Sequence, residues 1–422
     1  MKKEISWLYK ELPKLVQQDI ISADTAKLIK EYYGPVTERD WKGIGLTIFS
    51  ILGTILIGSG IILLLAHNWL QLTRLTRTII IFLSLISTQI FVGWVIYNDK
   101  SSPWKEGSTS FLIFILGAAI ALISQTYNLP GDFNNFILVL MLLNLPIIYL
   151  AQVTLPAFIY VLGISIWGIN LNNTMEVLFI WPLIGLILPY YFKRFKKDLY
   201  SNSNLLLLWE VILASIIAIS LSLEWSNAGL VTISYSSYFL LIYLLGSLFM
   251  NKGEKLLERP LQTIGMLGIL IISYIQGFED VDSIEIFNAA FIDYFLAVLF
   301  FATCVFLVVK YYSSFNKLIL SLAILPLLVI FTFLIPSLRI FIYNAYLFYL
   351  GILIIVYGIK EKKIGKANLG MLIISVQIIS RFFFMFEITF LTRALIFIIL
   401  GLAILASNIF LSKNRGEKNE DQ

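Results

Sequence analysis

The sequence has few charged residues, one histidine and one cysteine. Only 14% of its 422 residues are charged and 59% are hydrophobic, whereas a typical soluble domain has about 25% charged residues. With a mean hydropathy of +0.87, the chain has too few charges to cover a surface in water, so its composition predicts an integral membrane protein. The single cysteine, Cys304, excludes a disulfide framework and a cysteine-based zinc site.

The short motifs of several enzyme classes are also absent from the sequence. It contains no phosphate-binding P-loop, no HExxH helix, no GxSxG nucleophile elbow and no CxxC pair. With one histidine, carboxylates are almost the only general bases available. An ATP-driven pump and a zinc peptidase are excluded, and we expect no catalytic residues, no metal and no cofactor.

Long apolar runs without alternation favour membrane-spanning helices over a barrel. A span needs about 20 apolar residues, and fourteen candidates are present. We therefore expect an all-α, polytopic transmembrane helical bundle. The candidates are 44–66, 77–97, 110–126, 133–150, 153–169, 177–192, 204–222, 234–250, 260–277, 289–309, 317–335, 339–358, 366–384 and 390–411. Three of them, 110–126, 153–169 and 177–192, are short, and if two of these are re-entrant the count is twelve rather than fourteen.

The distribution of basic residues indicates the orientation of the bundle. When the N-terminus is placed inside, 26 of the 31 Lys and Arg residues fall on the inner side, as the positive-inside rule requires. The five on the outer side are Arg74, Arg77, Arg339, Arg381 and Arg393. Both termini are therefore predicted to be cytoplasmic, and the net charge of +5 reflects topology rather than a nucleic-acid-binding surface.

Residues 1–43 form the one sizeable polar segment outside the membrane. Apolar residues recur in it at helical spacing, Ser22 can cap a second helix, and Gly34-Pro35 ends that helix. We expect an amphipathic helical hairpin over 1–43, the transmembrane bundle over 44–411 and a polar cytosolic tail over 412–422. The hairpin packs against the membrane face or docks a membrane-protein partner.

Polar side chains inside a membrane are costly, so each is a candidate for function. Those in this sequence collect near the outer ends of the predicted helices. Arginines there can bind phosphate or carboxylate with two parallel hydrogen bonds, or they can extend to lipid headgroups. Gln125 and Tyr127 either line a pocket or cap a helix end. The candidate solute-binding residues are His67, Arg74, Arg77, Gln125, Tyr127, Arg381 and Arg393.

Arg381 lies deeper in its predicted span than the other outer arginines and needs a partner. The acidic residues expected on the same side are Asp132, Asp293 and Glu387. A pair between Arg381 and one of them would be structural or would belong to an anion-binding or proton-linked site. Four other polar residues, Gln262, Gln276, Gln377 and Asn408, are expected to form hydrogen bonds between helices.

Several short motifs resemble those of a bacterial family of membrane proteins. They are Ala66-His67-Asn68-Trp69, Gln125-Thr126-Tyr127, Arg381-Phe382-Phe383 and the terminal Asn408. Together with the two-helix start, they resemble the proteins with domain of unknown function 2157, over about residues 10–150 and more loosely over 340–411. The resemblance implies a multi-pass inner-membrane protein and supplies no mechanism. In that family an acidic residue commonly follows Arg-Phe-Phe, whereas here three residues separate the motif from Glu387.

Two functions remain open from the sequence. The first is binding or transport of a small or lipid-linked anionic solute in the bacterial cytoplasmic membrane, which the outer polar residues favour. The second is a membrane sensor or assembly factor without transport, which would act through residues 1–43. The lipid bilayer is the expected environment in both, nucleic acid is not an expected partner, and the oligomeric state is left open.

Overall fold

The computed structural model of the chain describes residues 2–33, 69, 71–171, 174–250, 256–278, 290–384, 398 and 401–402. The chain divides into two units, residues 1–80 and 81–422. The first predicted span, 44–66, lies outside the described residues, and so does nearly all of the last, 390–411.

Throughout the described ranges the regular structure is helical, without a strand. The α-helices are α1 (Lys2–Gln17), α2 (Ala23–Tyr33), α3 (Arg74–Tyr97), α4 (Ser102–Tyr127), α5 (Phe133–Ala151), α6 (Thr154–Ile169), α7 (Thr174–Val177), α8 (Ile180–Lys197), α9 (Asn202–Ser222), α10 (Ala228–Phe249), α11 (Pro260–Gln276), α12 (Phe291–Lys310), α13 (Lys317–Leu322), α14 (Leu325–Leu334), α15 (Arg339–Lys360) and α16 (Ile364–Phe384). Short 3₁₀ turns occupy Leu256–Glu258, Tyr312–Ser314 and Pro336–Leu338.

Among the described residues, eight helical stretches are long and apolar enough to cross a membrane. One of them combines α13 and α14, while α6 and α11 are shorter apolar helices. In α3 only 22% of the most apolar segment is buried within the protein, so most of its apolar surface is available to lipid. These helices confirm the predicted all-α polytopic bundle, whereas the cytoplasmic placement of the termini stays a prediction.

Every predicted span between residues 77 and 384 coincides with one helix or two, but α4 is much longer than expected. The span was predicted at 110–126, whereas α4 begins at Ser102 and has 26 residues. Its added turns contain Ser108 and Thr109, which are buried. The Thr109 hydroxyl donates to the carbonyl of Lys105 at 2.6 Å. Because such bonds satisfy the hydroxyls within the helix, polar residues that lower the hydropathy still belong to the helix.

The predicted span 317–335 is present as an apolar helical stretch, Lys317–Leu334, of 18 residues. This stretch contains a turn that the sequence did not predict, because helix α13 ends at Leu322 and α14 begins at Leu325. Proline at position 326 has no amide hydrogen, and its ring would clash with the carbonyl of Leu322, four residues earlier.

Helix α6 lies at the centre of the first half of the bundle. It packs against α4, α5, α8 and α9, and ten of its 16 residues are buried. At about 1.5 Å per residue its length is about 24 Å, which is less than the roughly 30 Å of hydrocarbon. The predicted short span 153–169 is therefore a helix, and most of its residues are covered by other helices, although Leu162 and Ile169 are exposed.

The second half of the bundle is arranged around α10, which packs against α11, α12 and α14. Helices α15 and α16 form an antiparallel pair, and α15 also contacts α11. The backbones of the pair approach closely where Gly351 of α15 meets Gly370 of α16. A Cβ added at Gly370 would lie 2.6 Å from the carbonyl oxygen of Gly351, so this approach requires glycine.

The N-terminal segment contains the two helices α1 and α2. The Ser22 hydroxyl accepts the Thr25 amide hydrogen at 3.1 Å, which satisfies a free donor at the start of α2. Leu12 of α1 and Ala26 of α2 are buried, and the two helices are in contact. They therefore form a hairpin with its own small apolar contact.

The turn between α15 and α16 gives a pH-dependent contribution to stability. Glu361 accepts a hydrogen bond from Lys366 at 2.6 Å, and this bond lowers the pKa of Glu361 from 4.5. Because the folded-state pKa is the lower one, the stabilisation is complete above the unfolded-state pKa and is lost as pH falls through the folded-state pKa. We expect Glu361→Gln to cost only about 0.2–1 kcal/mol at pH 7. Thermal unfolding should show a smaller difference in stability between the wild type and Glu361→Gln at pH 3 than at pH 7.

Candidate functional site

The two arginines at the start of α3 differ in their surroundings. Arg74 is exposed. The Nε of Arg77 donates to the carbonyl of Leu72 at 3.1 Å, and its guanidinium carbon lies 6.0 Å from the ring centre of Trp69. Arg77 therefore folds back on the segment that precedes its helix, as expected for a side chain near a membrane surface. Of the other candidates, His67, Arg393 and Glu387 lie outside the described residues.

Gln125 and Tyr127 are at the end of α4, and both are exposed. Asp132 follows them and caps α5, because its carboxylate accepts the amide hydrogen of Asn135 at 2.6 Å and the Asn135 side-chain amide at 3.3 Å. Asp132 thus has a structural role at a helix start. The end of α4 and the start of α5 form a polar surface, with Gln125 accessible from outside the protein.

Arg381, in contrast, is held inside the bundle. It lies in the last turns of α16 and is 7% exposed. Its Nε donates to Oδ1 of Asn344 on α15 at 2.6 Å, and its guanidinium carbon lies 3.7 Å from the centre of the Phe278 ring. A Cβ at position 277 would come within 2.5 Å of Nη2 of Arg381. Gly277 therefore makes room for the guanidinium group.

Asn344 connects the three helices that surround Arg381. Its Nδ2 donates to the carbonyl of Ile340 at 2.6 Å and to that of Gly277, at the end of α11, at 3.3 Å. Its Oδ1 also accepts a hydrogen bond from Nε2 of Gln377 on α16, and Gln377 is 1% exposed. This bond confirms the predicted interhelical role of Gln377. Gln276 of α11 donates a hydrogen bond to the hydroxyl of Thr232 on α10 at 3.1 Å, which confirms its predicted interhelical role as well.

The position of Arg381 explains how a guanidinium group is tolerated there. It lies beside the C-terminus of α11, where the helix dipole favours a cation, and over an aromatic face that attracts a cation. We call Arg381, Asn344, Gln377 and the Gly277-Phe278 end of α11 the Arg381 cluster. Its chemistry suits a carboxylate or phosphate, because a guanidinium oriented through one nitrogen can direct its fork at an oxyanion.

The two described acidic candidates are engaged at other helix ends. Asp293 is fully buried in the first turn of α12. Its carboxylate accepts the amide hydrogen of Glu224 at 3.1 Å and a hydrogen bond from the Asn227 side chain at 3.3 Å, so it ties α12 to the loop between α9 and α10. Asp132 caps α5 as described above. The pairing of either carboxylate with Arg381 stays a prediction without a described contact in its support.

Glu106 has a structural role that the sequence did not indicate. Its two carboxylate oxygens accept the amide hydrogens of Thr154 and Leu155, each at 2.7 Å. These amides are the first two of α6. The residue before them is Val153, whose side chain cannot cap a helix. Glu106 is 48 residues from Thr154 along the chain, so no local pattern reveals the contact.

Two further ionisable groups are buried within the bundle. Arg339 begins α15, and Glu210 lies in α9. Oε2 of Glu210 accepts a hydrogen bond from the hydroxyl of Tyr191 at 3.2 Å. Within the described part of the chain, Nη2 of Arg339 and Oε1 of Glu210 have no hydrogen-bond partner. The sequence indicated Arg339 only as an outer charge, and burial could not be inferred from that.

A cavity of about 670 Å³ is present at the start of α5 and α8. Asp132 is the one candidate residue from the sequence that lines it. In the ranges that the structure describes, no group of three His, Cys, Asp or Glu residues could hold a metal ion. The described solute-binding candidates lie at the start of α3, at the end of α4 and in the Arg381 cluster.

Comparison with known proteins gives one match. Residues 13–157 match the family described as "Predicted membrane protein (DUF2157)", which is about a third of the chain. The resemblance suggested for residues 340–411 lies outside the matched range. No curated protein and no solved structure matches the chain significantly. The resemblance predicted from the sequence is thus confirmed for residues 13–157.

Proposed function

We propose that this multi-pass protein of the bacterial cytoplasmic membrane binds, and transports, a small or lipid-linked anionic solute, with Arg381 as the principal cationic contact. The observation that carries the proposal is the burial of the Arg381 guanidinium, oriented by Asn344 at 2.6 Å. An ionisable residue within a membrane bundle is costly and is therefore a functional candidate by default.

The architecture of the Arg381 cluster supports binding of an oxyanion. Asn344 fixes one edge of the guanidinium, and Phe278 fixes its plane. A side chain held in this way loses little conformational entropy when a ligand binds. The chemical feature that a free anion and a lipid-linked one would share is a phosphate or carboxylate group.

The other outer candidates have accessory roles in this proposal. Arg74 is exposed at the start of α3, and Gln125 is exposed at the end of α4, so each can contact a solute in water or a lipid headgroup. His67 and Arg393, which lie outside the described residues, complete the predicted set. The proposal assigns attraction of the anion to Arg74, since exposed cations act mainly on association rates.

Binding can be tested by ligand-induced stabilisation of the full chain in phosphatidylcholine nanodiscs. Inorganic phosphate is the free probe, and phosphatidic acid incorporated in the discs is the lipid-linked one. A probe at 100 times its dissociation constant should stabilise the wild type by about 2.7 kcal/mol. Arg381→Gln should remove this effect, and Arg381→Lys should keep only part of it, because lysine lacks the planar fork.

The matched control is Lys196→Gln, which removes one exposed positive charge from the end of α8. This variant should retain the full response to the probe. If neither probe stabilises the wild type, or if Arg381→Gln responds as the wild type does, the proposal is wrong. Flux of the binding probe into proteoliposomes then separates transport from binding alone.

A further inference from the structure

The cavity at the start of α5 and α8 has a polar end and an apolar wall. Its volume is about 670 Å³, within the range of about 300–1,000 Å³ that small ligands occupy. The residues at the polar end are Asp132, Asn134, Asn135 and Glu176, and the wall includes Leu138, Leu142, Trp167, Phe179, Leu183 and Leu186. The two zones match an amphiphile with a polar head and an apolar chain.

The depth of the cavity matches one leaflet of a bilayer. Asp132 caps α5, and Leu142 lies ten residues further along the same helix. At about 1.5 Å per residue this distance is about 15 Å, half of the roughly 30 Å hydrocarbon thickness. A chain that entered between α5 and α8 would therefore lie along the wall with its head at the membrane surface.

The apolar wall is open toward the side of the bundle. Phe179 is 62% exposed, and Leu142 and Leu186 are 42% and 45% exposed. Deeper in the cavity, Trp167 of α6 is buried and forms its inner surface. Leu142 lies on α5, which is long and apolar enough to span a membrane, and exposed apolar side chains on such a helix face lipid. An acyl chain can therefore enter laterally past Leu142 without first crossing water.

The charges at the polar end select the head group. Two carboxylates, those of Asp132 and Glu176, line the cavity, and none of the described residues that line it is Lys or Arg. An anionic head would be repelled there, whereas a primary ammonium group offers three hydrogen-bond donors. Asp132 can accept from such a head while it caps α5, because a carboxylate has about four acceptor sites.

We propose that this cavity is a binding site for a phospholipid with a primary ammonium head group, such as phosphatidylethanolamine. The acyl chain lies against Leu138, Leu142 and Leu183, and the ammonium group lies at Asp132 and Glu176. The site shares no residue with the Arg381 cluster, and it recognises the ammonium part of a zwitterionic head group rather than an anion. Its test is therefore independent of the proposed function.

The test uses native mass spectrometry of the full chain after release from nanodiscs that contain equal amounts of phosphatidylethanolamine, phosphatidylcholine and phosphatidylglycerol. We expect about tenfold higher retention of phosphatidylethanolamine than of either other lipid, which corresponds to 1.4 kcal/mol. Phosphatidylcholine is the critical comparison, because its head group is also zwitterionic but its quaternary ammonium cannot donate hydrogen bonds. Equal retention of the three lipids would overturn the proposal.

The matched variants are two double substitutions that each remove two carboxylates. Asp132→Asn with Glu176→Gln should reduce the preference to less than about threefold, and asparagine at 132 still caps α5. Asp198→Asn with Glu224→Gln removes two carboxylates outside the cavity and should leave the preference unchanged. A preference that persists in the first double variant contradicts the assignment.

A photoreactive phosphatidylethanolamine gives a test in the wild-type protein that does not depend on any variant. Its crosslinks should fall on residues 138–142 or 179–186. Crosslinks confined to other helices would overturn the site, and so would a lipid-free dimer in which a second copy of the chain protects these residues. Leu142→Trp should reduce the crosslink yield at least severalfold, because the larger side chain fills the path of the acyl chain.

Discussion

Replacing Glu106 with alanine is expected to destabilise the protein by about 2–4 kcal/mol. The carboxylate accepts two amide hydrogens at 2.7 Å, those of Thr154 and Leu155. Loss of the carboxylate leaves these two donors at the start of α6 without an acceptor. Val153, at the helix start, has no side chain that can replace the carboxylate. The negative charge also interacts favourably with the helix dipole at this end.

The measurement combines thermal stability with hydrogen exchange. We expect a lower unfolding temperature in detergent and faster exchange at the Thr154 and Leu155 amides, with little change at the far end of α6. Glu106→Gln keeps one carbonyl acceptor and should be intermediate in both measurements. Asp99→Asn is the control, because Asp99 is an exposed acid that pairs with Lys105. Exchange at the start of α6 that is unaffected by Glu106→Ala would contradict the assigned cap.

Gly370→Ala, which adds a single methyl group, is expected to destabilise the protein by about 1–3 kcal/mol, almost as much as Glu106→Ala. The new Cβ would lie 2.6 Å from the carbonyl oxygen of Gly351 and 2.8 Å from the amide nitrogen of Ile355. Both are backbone atoms of α15, so they cannot move aside as a flexible side chain could. Helices α15 and α16 would have to separate along much of their contact.

The control for this effect is Gly365→Ala in the same helix. A Cβ at Gly365 has no neighbour within 4 Å among the described atoms, and alanine favours a helix by as much as about 1 kcal/mol over glycine. Gly370→Ala should therefore lower the unfolding temperature, while Gly365→Ala should leave it unchanged or raise it slightly. Equal effects of the two substitutions would show that helix propensity, rather than the α15–α16 contact, decides the outcome.

The helices could be predicted from the sequence because twenty apolar residues in succession have few other stable arrangements in lipid. Two details could not be predicted, namely the start of α4 and the turn before α14. The start of α4 contains Ser108 and Thr109, whose burial is decided by the neighbouring helices. The break before α14 comes from Pro326, which interrupts the helical hydrogen bonds of the backbone. A hydropathy average does not register this effect.

The candidate site was predictable only in part, for a related reason. A buried amide in a span requires a partner, so Gln377 and Gln276 could be assigned interhelical bonds without knowledge of the partner. The identity of the partners depends on which helices pack together. Asn344 as the partner of Arg381, and Glu106 as the cap of α6, are separated from the groups that they bind by 37 and 48 residues.

The Glu106 cap has a consequence for biogenesis. Helix α6 is about 24 Å long and cannot cross the hydrocarbon without neighbours, and Gln152-Val153 is all that joins it to α5. Helix α4, which carries Glu106, is synthesised before α6. The acceptor for the first amides of α6 is therefore already present in the chain when that helix leaves the ribosome.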